Sequence, residues 1–501
     1  MSLTVAFVNK TNYIKVLESL FETEYNISKE IVSQNLNYFN NLIKDDIGIY
    51  IEFPYVDKHY RDSYYSYYST KHQRYSRDSI RLSFFTEIVD NDNFRNIDKI
   101  NCLQKSFLGY ITIRPTRSNI FGRSILSPQI YKKHNFICCL VKTNALVNGV
   151  KLDVHGFPYC AQDGETLSCA ETTILNVNEY FGTKYSDYSP TLPSQIIKIL
   201  SQRSFERLIP SNGLNTEDIS FVLKEFGLST KVYDKDEYNS EKSHSVSFKE
   251  IINTYVDSGI PIIAALRNKQ IGHAIIIIGR EEVNDRTICQ KIKGMFSPTF
   301  LSEYIQNYVI MDDNLPPYQL VSFDNPTNDS IYYNDDSFKD CKIESVIVPL
   351  YKKVYVDAVM VHELVRSILL EKKLVDSINA EITRIFLTSS RSFKSELCLN
   401  KEFRNDDVKN LIISKRMPKF IWLVEFYSGY EQLKDNNVDT LIALDPTEPD
   451  TFENHILFIL KKNKYIIYNN SSKIYEQWVV DSVNINTFVN NLKGTHCKWK
   501  S

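Results

Sequence analysis

Glycine is scarce in this chain, at 15 residues of 501. There is no P-loop and no G-x-G-x-x-G stretch, so a backbone cradle for nucleotide phosphates at a helix start is not expected. No apolar run approaches ~18 residues, which leaves no candidate for a membrane-crossing helix. Residues 1–9 lack the charged and long apolar regions of a signal peptide and read as a first strand. Neither sign of charge is in excess. The 59 Lys and Arg face 61 Asp and Glu, a net charge of −2, which argues against a general nucleic-acid or membrane-surface binder. The nine cysteines are odd in number and form no C-x-x-C pair. Neither a disulfide framework nor a thiolate zinc site is therefore expected, and a reducing, cytoplasmic compartment is.

What remains is an ordinary globular mixture, 43% hydrophobic and 24% charged, long enough for two to four domains. Three segments are expected: an α/β domain over 1–145, a central domain over 146–350, and a further α/β domain over 351–501. In the first, Thr4 to Val8 reads as a strand, and Tyr13, Val16, Leu17, Leu20 and Phe21 share a helical face. The stretch from His59 to Arg77, rich in Tyr, Ser and Arg, shows neither helical nor strand period. It reads as a surface loop, with a base-stacking loop as the sharper alternative. In the third, His362-Glu363 begins a metalloprotease-like string, but Arg366 stands where the second histidine is needed, so zinc is not expected there.

One cysteine is placed for chemistry. In Gln162-Asp163-Gly164-Glu165-Thr166-Leu167-Ser168-Cys169-Ala170-Glu171, Ser168 is an N-cap and Glu171 completes a capping box. Ile174, Val177 and Phe181 follow on one face, and Gly182 is expected as the residue that ends the helix. Cys169 thus lies in a first helical turn, where free N–H groups and the helix dipole favour an anion. Gln162, seven residues upstream, is near enough to lend its amide to a developing oxyanion. Asp163 and Glu165 are expected to be solvated, with a part in shaping substrate preference as the alternative.

Further on, two apolar strands flank a turn, and His273 opens the second of them. A later strand, from Tyr308, ends in Asp312-Asp313-Asn314. A histidine base needs a third group to fix its tautomer and orientation. Asp313 is preferred, because Val309, Met311 and Asp313 share a face at period two. Asp312 and Asn314 follow in that order.

Gln before Cys at a helix start, then Gly-His before an apolar strand, then a strand ending in Asp, resembles a papain-like cysteine peptidase. The group nearest in pattern is that of the double-glycine leader peptidases. The resemblance covers about residues 150–350, including the segment Asn212 to Asp218 ahead of an amphipathic helix. Two features depart from it. His273 and Asp313 are forty residues apart, which requires an insertion at about 281–307, and Ala170 follows the cysteine where many relatives have glycine. The resemblance implies an α+β fold in which a papain-like domain is flanked by two α/β-type domains. It implies a Cys169–His273–Asp313 triad with Gln162 in the oxyanion hole, a protein or peptide substrate, and no cofactor or metal. The flanking domains would recognise substrate or bind a regulatory partner. Leader peptidases are fused to membrane segments, and the want of one here argues against a secretion role. The same site suits an amidase, deamidase or acyltransferase. A catalytically inactive peptidase-like sensor is the reading from a different class.

Overall fold

A computed structural model describes residues 4–133, 135–205, 207–211, 213–239, 246–283, 299–327, 336–370, 381–403, 405–448, 455–469, 474–479 and 483–494. The chain is a mixed α and β protein built on three large sheets. Among the described residues no helix is long and apolar enough to cross a membrane.

The first sheet has seven antiparallel strands. In spatial order they are Thr4–Asn9, Gly48–Tyr55, Ser79–Phe85, Phe107–Ile113, Ser124–Leu126, Val150–Tyr159 and Val141–Val147. The second runs Gln319–Ser322, Asn307–Met311, Gly272–Glu281, Ile262–Arg267, Lys342–Leu350, Ser229–Asp234, and Phe136–Cys138 joins it beside Gly272–Glu281. The third contains Ile382–Ser389, Phe420–Tyr427, Thr440–Leu444, Ile456–Lys461, Lys464–Asn469 and Ile474–Val479 in that order. Two corrections to the expected division follow. The first sheet continues through Tyr159, so a boundary at 145 would cut the hairpin Val141–Val147 and Val150–Tyr159. One apolar core also runs through all three sheets, from Tyr13 to Leu492, so the segments share an interior.

The first part of the tyrosine-rich stretch is not a loop, while residues 71–77 carry neither helix nor strand, as expected. Lys58–Ser66 is a helix capped by the Asp57 carboxylate, which accepts the Tyr60 N–H at 2.8 Å. His59, Tyr60 and Ser63 point inward, with Tyr68 from the following 3₁₀ turn. The buried face is made of tyrosine and histidine, whose polar tips hide the helical period from a hydrophobicity pattern. Gly182 also lies inside its helix, Cys169–Lys184. A Cβ there would come within 2.6 Å of the Pro190 nitrogen, so close backbone approach, and not termination, calls for glycine.

A buried ion network ties the second sheet to the third. Asp257, at the end of the helix Phe248–Asp257, accepts Arg280 Nε at 2.7 Å and Arg384 Nε at 2.9 Å. Arg384 continues to Glu425 on the neighbouring strand at 2.9 Å and to the Phe488 carbonyl at 2.8 Å.

Candidate active site

The cysteine loop is wound around Asp163. Its Oδ1 accepts the backbone N–H groups of Glu165, Thr166 and Leu167 at 2.9, 2.7 and 2.9 Å, and the Thr166 hydroxyl bonds Oδ2. Contrary to expectation, Asp163 is 4% exposed and organises the turn. Glu165 is likewise engaged, by the Tyr67 hydroxyl at 2.8 Å and by Lys71. The helix Cys169–Lys184 begins as its sequence requires. Ser168 is extended, and the buried Glu171 carboxylate accepts its N–H at 3.1 Å and the Ser211 hydroxyl at 2.6 Å. Cys169, the first helical residue, is half-buried.

The histidine arrives on a hairpin. Asn268 closes the turn, its Oδ1 accepting the N–H groups of Gln270 and Ile271 at 2.8 and 2.9 Å. His273 then pairs with Leu266 in the antiparallel ladder, 6% exposed, and the Phe338 ring meets the imidazole in a T-shaped contact with centroids 5.5 Å apart. The Asn268 amide holds the Phe338 segment by donating to the carbonyls of Ser337 and Lys339 at 2.7 and 2.9 Å.

The acid nearest the ring is not the one preferred from the sequence. His273 Nε2 lies 3.0 Å from Asp312 Oδ1, a hydrogen bond, and 3.7 Å from Asp313 Oδ1. The reason is cross-strand register. Met311 pairs with Ile276, so the next position, Asp312, falls opposite Ile275, on the face that His273 shares two residues earlier. Asp313 follows in the turn beyond the strand, and its Oδ2 accepts the Thr172 hydroxyl of the cysteine helix at 3.4 Å. Reading one strand's period alone could not supply this phase, since Tyr308 to Met311 are all buried.

A chain of hydrogen bonds results. The Gln162 amide donates to Asn314 Oδ1 at 2.5 Å, the Asn314 N–H to Asp312 Oδ1 at 3.0 Å, and Asp312 bonds His273. The Cys169 side chain bears on the same ring and favours its charged form. With Nε2 turned to Asp312, Nδ1 is the nitrogen left for the thiol. Burial works to lower the His273 pKa. The Asp312 charge and hydrogen bond, then Cys169 and Asp313, outweigh it and hold the imidazole well above its ordinary value. Burial pushes the Asp313 carboxyl up to about 7, with His273 pulling it down and Asp312 adding to the rise.

The first sheet supports this site through residues that the sequence did not single out. The buried Arg114 guanidinium donates from Nη2 to the carbonyls of Ala161 and Gln162 at 3.0 and 3.2 Å, which fixes the backbone that carries Gln162. Tyr159 donates to the Leu315 carbonyl at 2.7 Å, and Asn119 to the Asp313 carbonyl at 3.4 Å. No local motif marks these residues, because each acts across a long sequence separation. The expected insertion at 281–307 falls largely on residues 284–298, outside the described residues.

The geometry ranks the two acids. On the peptidase reading that the sequence resemblance implies, Asp312→Asn is expected to lower turnover about 100-fold and Asp313→Asn about tenfold or less. Steady-state rates on one fluorogenic peptide compare them directly. A larger loss for Asp313→Asn would return Asp313 to the role of third group.

No protein-family model matches the chain, and no curated protein shows significant sequence similarity to it.

Proposed function

We propose that this protein is a papain-like cysteine peptidase that hydrolyses a peptide or isopeptide bond in a protein substrate. The observation that carries the reading is the convergence of Cys169, at a helix start, with His273 and Asp312 from two strands of another layer. A structural cysteine or a structural histidine has no need of the other.

In this reading His273 holds the proton of the Cys169 thiol, and the sulfur attacks the substrate carbonyl carbon. The oxyanion is met by the Cys169 N–H and by the Gln162 amide. That amide carries two hydrogens and commits one to Asn314, which orients the other. His273 then protonates the departing amine, and water attacks the thioester to release the acid and restore the thiol. Asp312 keeps the ring oriented throughout and stabilises its charged form. All seven described cysteines are free, which supports a reducing compartment such as the cytoplasm.

Alkylation tests the pair without knowledge of the substrate. Cys102 and Cys398 are exposed thiols and serve as internal standards. Iodoacetamide at neutral pH, mapped by mass spectrometry, should label Cys169 about tenfold faster than either, although Cys169 is less exposed. His273→Ala should remove that advantage. Labelling of Cys169 no faster than that of the two standards would overturn the peptidase reading and favour a peptidase-like binding protein.

A further inference from the structure

The acid side of the proposed dyad has more carboxylate than a cysteine hydrolase needs. His273 Nε2, Asp312 and Asp313 form a cluster whose ligand atoms all lie within 4.8 Å of one another, all on buried side chains. Asp312 is accounted for, since it orients the ring and accepts the Asn314 N–H. Asp313 is not. Its Oδ1 is buried without a hydrogen-bond partner and lies 3.7 Å from the imidazole nitrogen, too far for a hydrogen bond. A carboxylate oxygen taken out of water with no donor is costly, and a cation offsets that cost.

We propose that His273, Asp312 and Asp313 bind one zinc-class divalent cation, which switches the hydrolytic site off. This rests on the peptidase reading only for its consequence and not for the binding. Zinc bonds nitrogen and carboxylate oxygen at about 2.0–2.2 Å, so two ligands at a tetrahedral angle stand about 3.3–3.5 Å apart. The two nitrogen-to-oxygen separations here, 3.0 and 3.7 Å, bracket that value. An imidazole among only three protein donors suits zinc and its first-row neighbours. Calcium calls for six to eight oxygens, and magnesium for an octahedral oxygen shell. The Asn314 N–H already braces Asp312 from behind, as outer partners of metal ligands do.

The ion would occupy the space between the ring and the acids. It takes the place of the Nε2 proton, which leaves to solvent along with any proton on Asp313. The His273–Asp312 hydrogen bond is then replaced by two metal bonds. With Nε2 on the metal the ring is neutral and its one proton stays on Nδ1, so it can no longer take up the thiol proton as an imidazolium, and hydrolysis stops. Chelation restores the hydrogen bond and the activity.

The test uses the full chain stripped of metal by chelator and titrated calorimetrically with zinc chloride at neutral pH. The wild type and Cys169→Ala should each bind one ion with Kd of about 1 µM or tighter. Asp313→Asn, which changes one atom and removes the charge, should bind at least about tenfold more weakly while its thermal melt stays close to wild type. Cobalt supplies a second readout in the unmutated protein. Tetrahedral d–d bands without a thiolate-to-cobalt charge-transfer band are expected. Zinc binding that disappears in Cys169→Ala and survives in Asp313→Asn would overturn the proposal in favour of a thiol site, as would a strong charge-transfer band. So would wild-type binding weaker than about 100 µM. The two proposals fail separately. Zinc bound at these residues by a protein whose Cys169 shows no enhanced reactivity removes the peptidase and keeps the metal site. A reactive Cys169 in a chain that takes up no zinc does the reverse.

Discussion

Cys169→Ala is expected to leave the fold intact and to reduce hydrolysis by about 10⁴-fold or more. The thiol is half-buried at the first position of its helix, and the elements that build that helix start are elsewhere. Glu171 binds the Ser168 N–H, and Asp163 holds the three N–H groups of the preceding turn. Replacing sulfur by hydrogen at such a position removes little packing, so the melting temperature should stay within a few degrees of wild type. Turnover has no substitute for the sulfur, because the two carboxylates nearby are turned to His273 and Thr172. The measurement is cleavage of a fluorogenic peptide selected on the wild-type protein, run beside a thermal melt. Retained cleavage by a folded Cys169→Ala protein would end the assignment of the nucleophile. Loss of cleavage with loss of folding would show instead that the thiol is structural.

Asp257→Ala is expected to cost about 3–5 kcal/mol of stability without touching the site chemistry directly. The side chain is fully buried between Arg280 and Arg384, and both guanidinium groups would be left in the interior short of a counter-charge. Burial on its own would raise the Asp257 pKa, but the two arginines outweigh it and hold the carboxyl below the ordinary range. A carboxyl whose pKa is lowered by folding stabilises the fold above its unfolded value. That contribution is lost as pH falls through the folded one. Urea unfolding should therefore show the penalty of the variant at neutral pH, with the difference from wild type narrowing in acid. A cost below about 1 kcal/mol would mean that water relieves the stranded arginines, and the network would then be a poor tether between the second and third sheets. The double variant Asp257→Ala with Arg280→Leu should recover part of the loss, because Arg280, unlike Arg384 with Glu425, is left without a second carboxylate.

Local chemistry was legible in the sequence wherever one segment carries the whole instruction. The cysteine helix start is written in Ser168 and Glu171, and the structure begins the helix at Cys169. Apolar runs gave the strands Ile262–Arg267 and Gly272–Glu281, with His273 near the start of the second. The strand Asn307–Met311, ending at two acids, was legible for the same reason. The buried helix Lys58–Ser66 was not, because its inward residues are histidine, tyrosine and serine, which pattern as surface.

Sequence by itself determined the participants: a capped helix presenting Cys169, a hairpin carrying His273, and a strand delivering Asp312 and Asp313. The tertiary structure decided how they are used. It chose Asp312 for the ring, because side-chain facing is set by the partner strand, through the pairing of Met311 with Ile276. It buried Asp163 under three backbone donors, bound Gln162 to Asn314, and brought Arg114 from the first sheet beneath the cysteine loop. These are contacts between segments, and Arg114 is 48 residues from the Gln162 carbonyl it holds. A helix cap is completed within one turn of chain. A cross-strand face and a buried guanidinium acquire their partners only when sheets pack, so no single stretch can encode them.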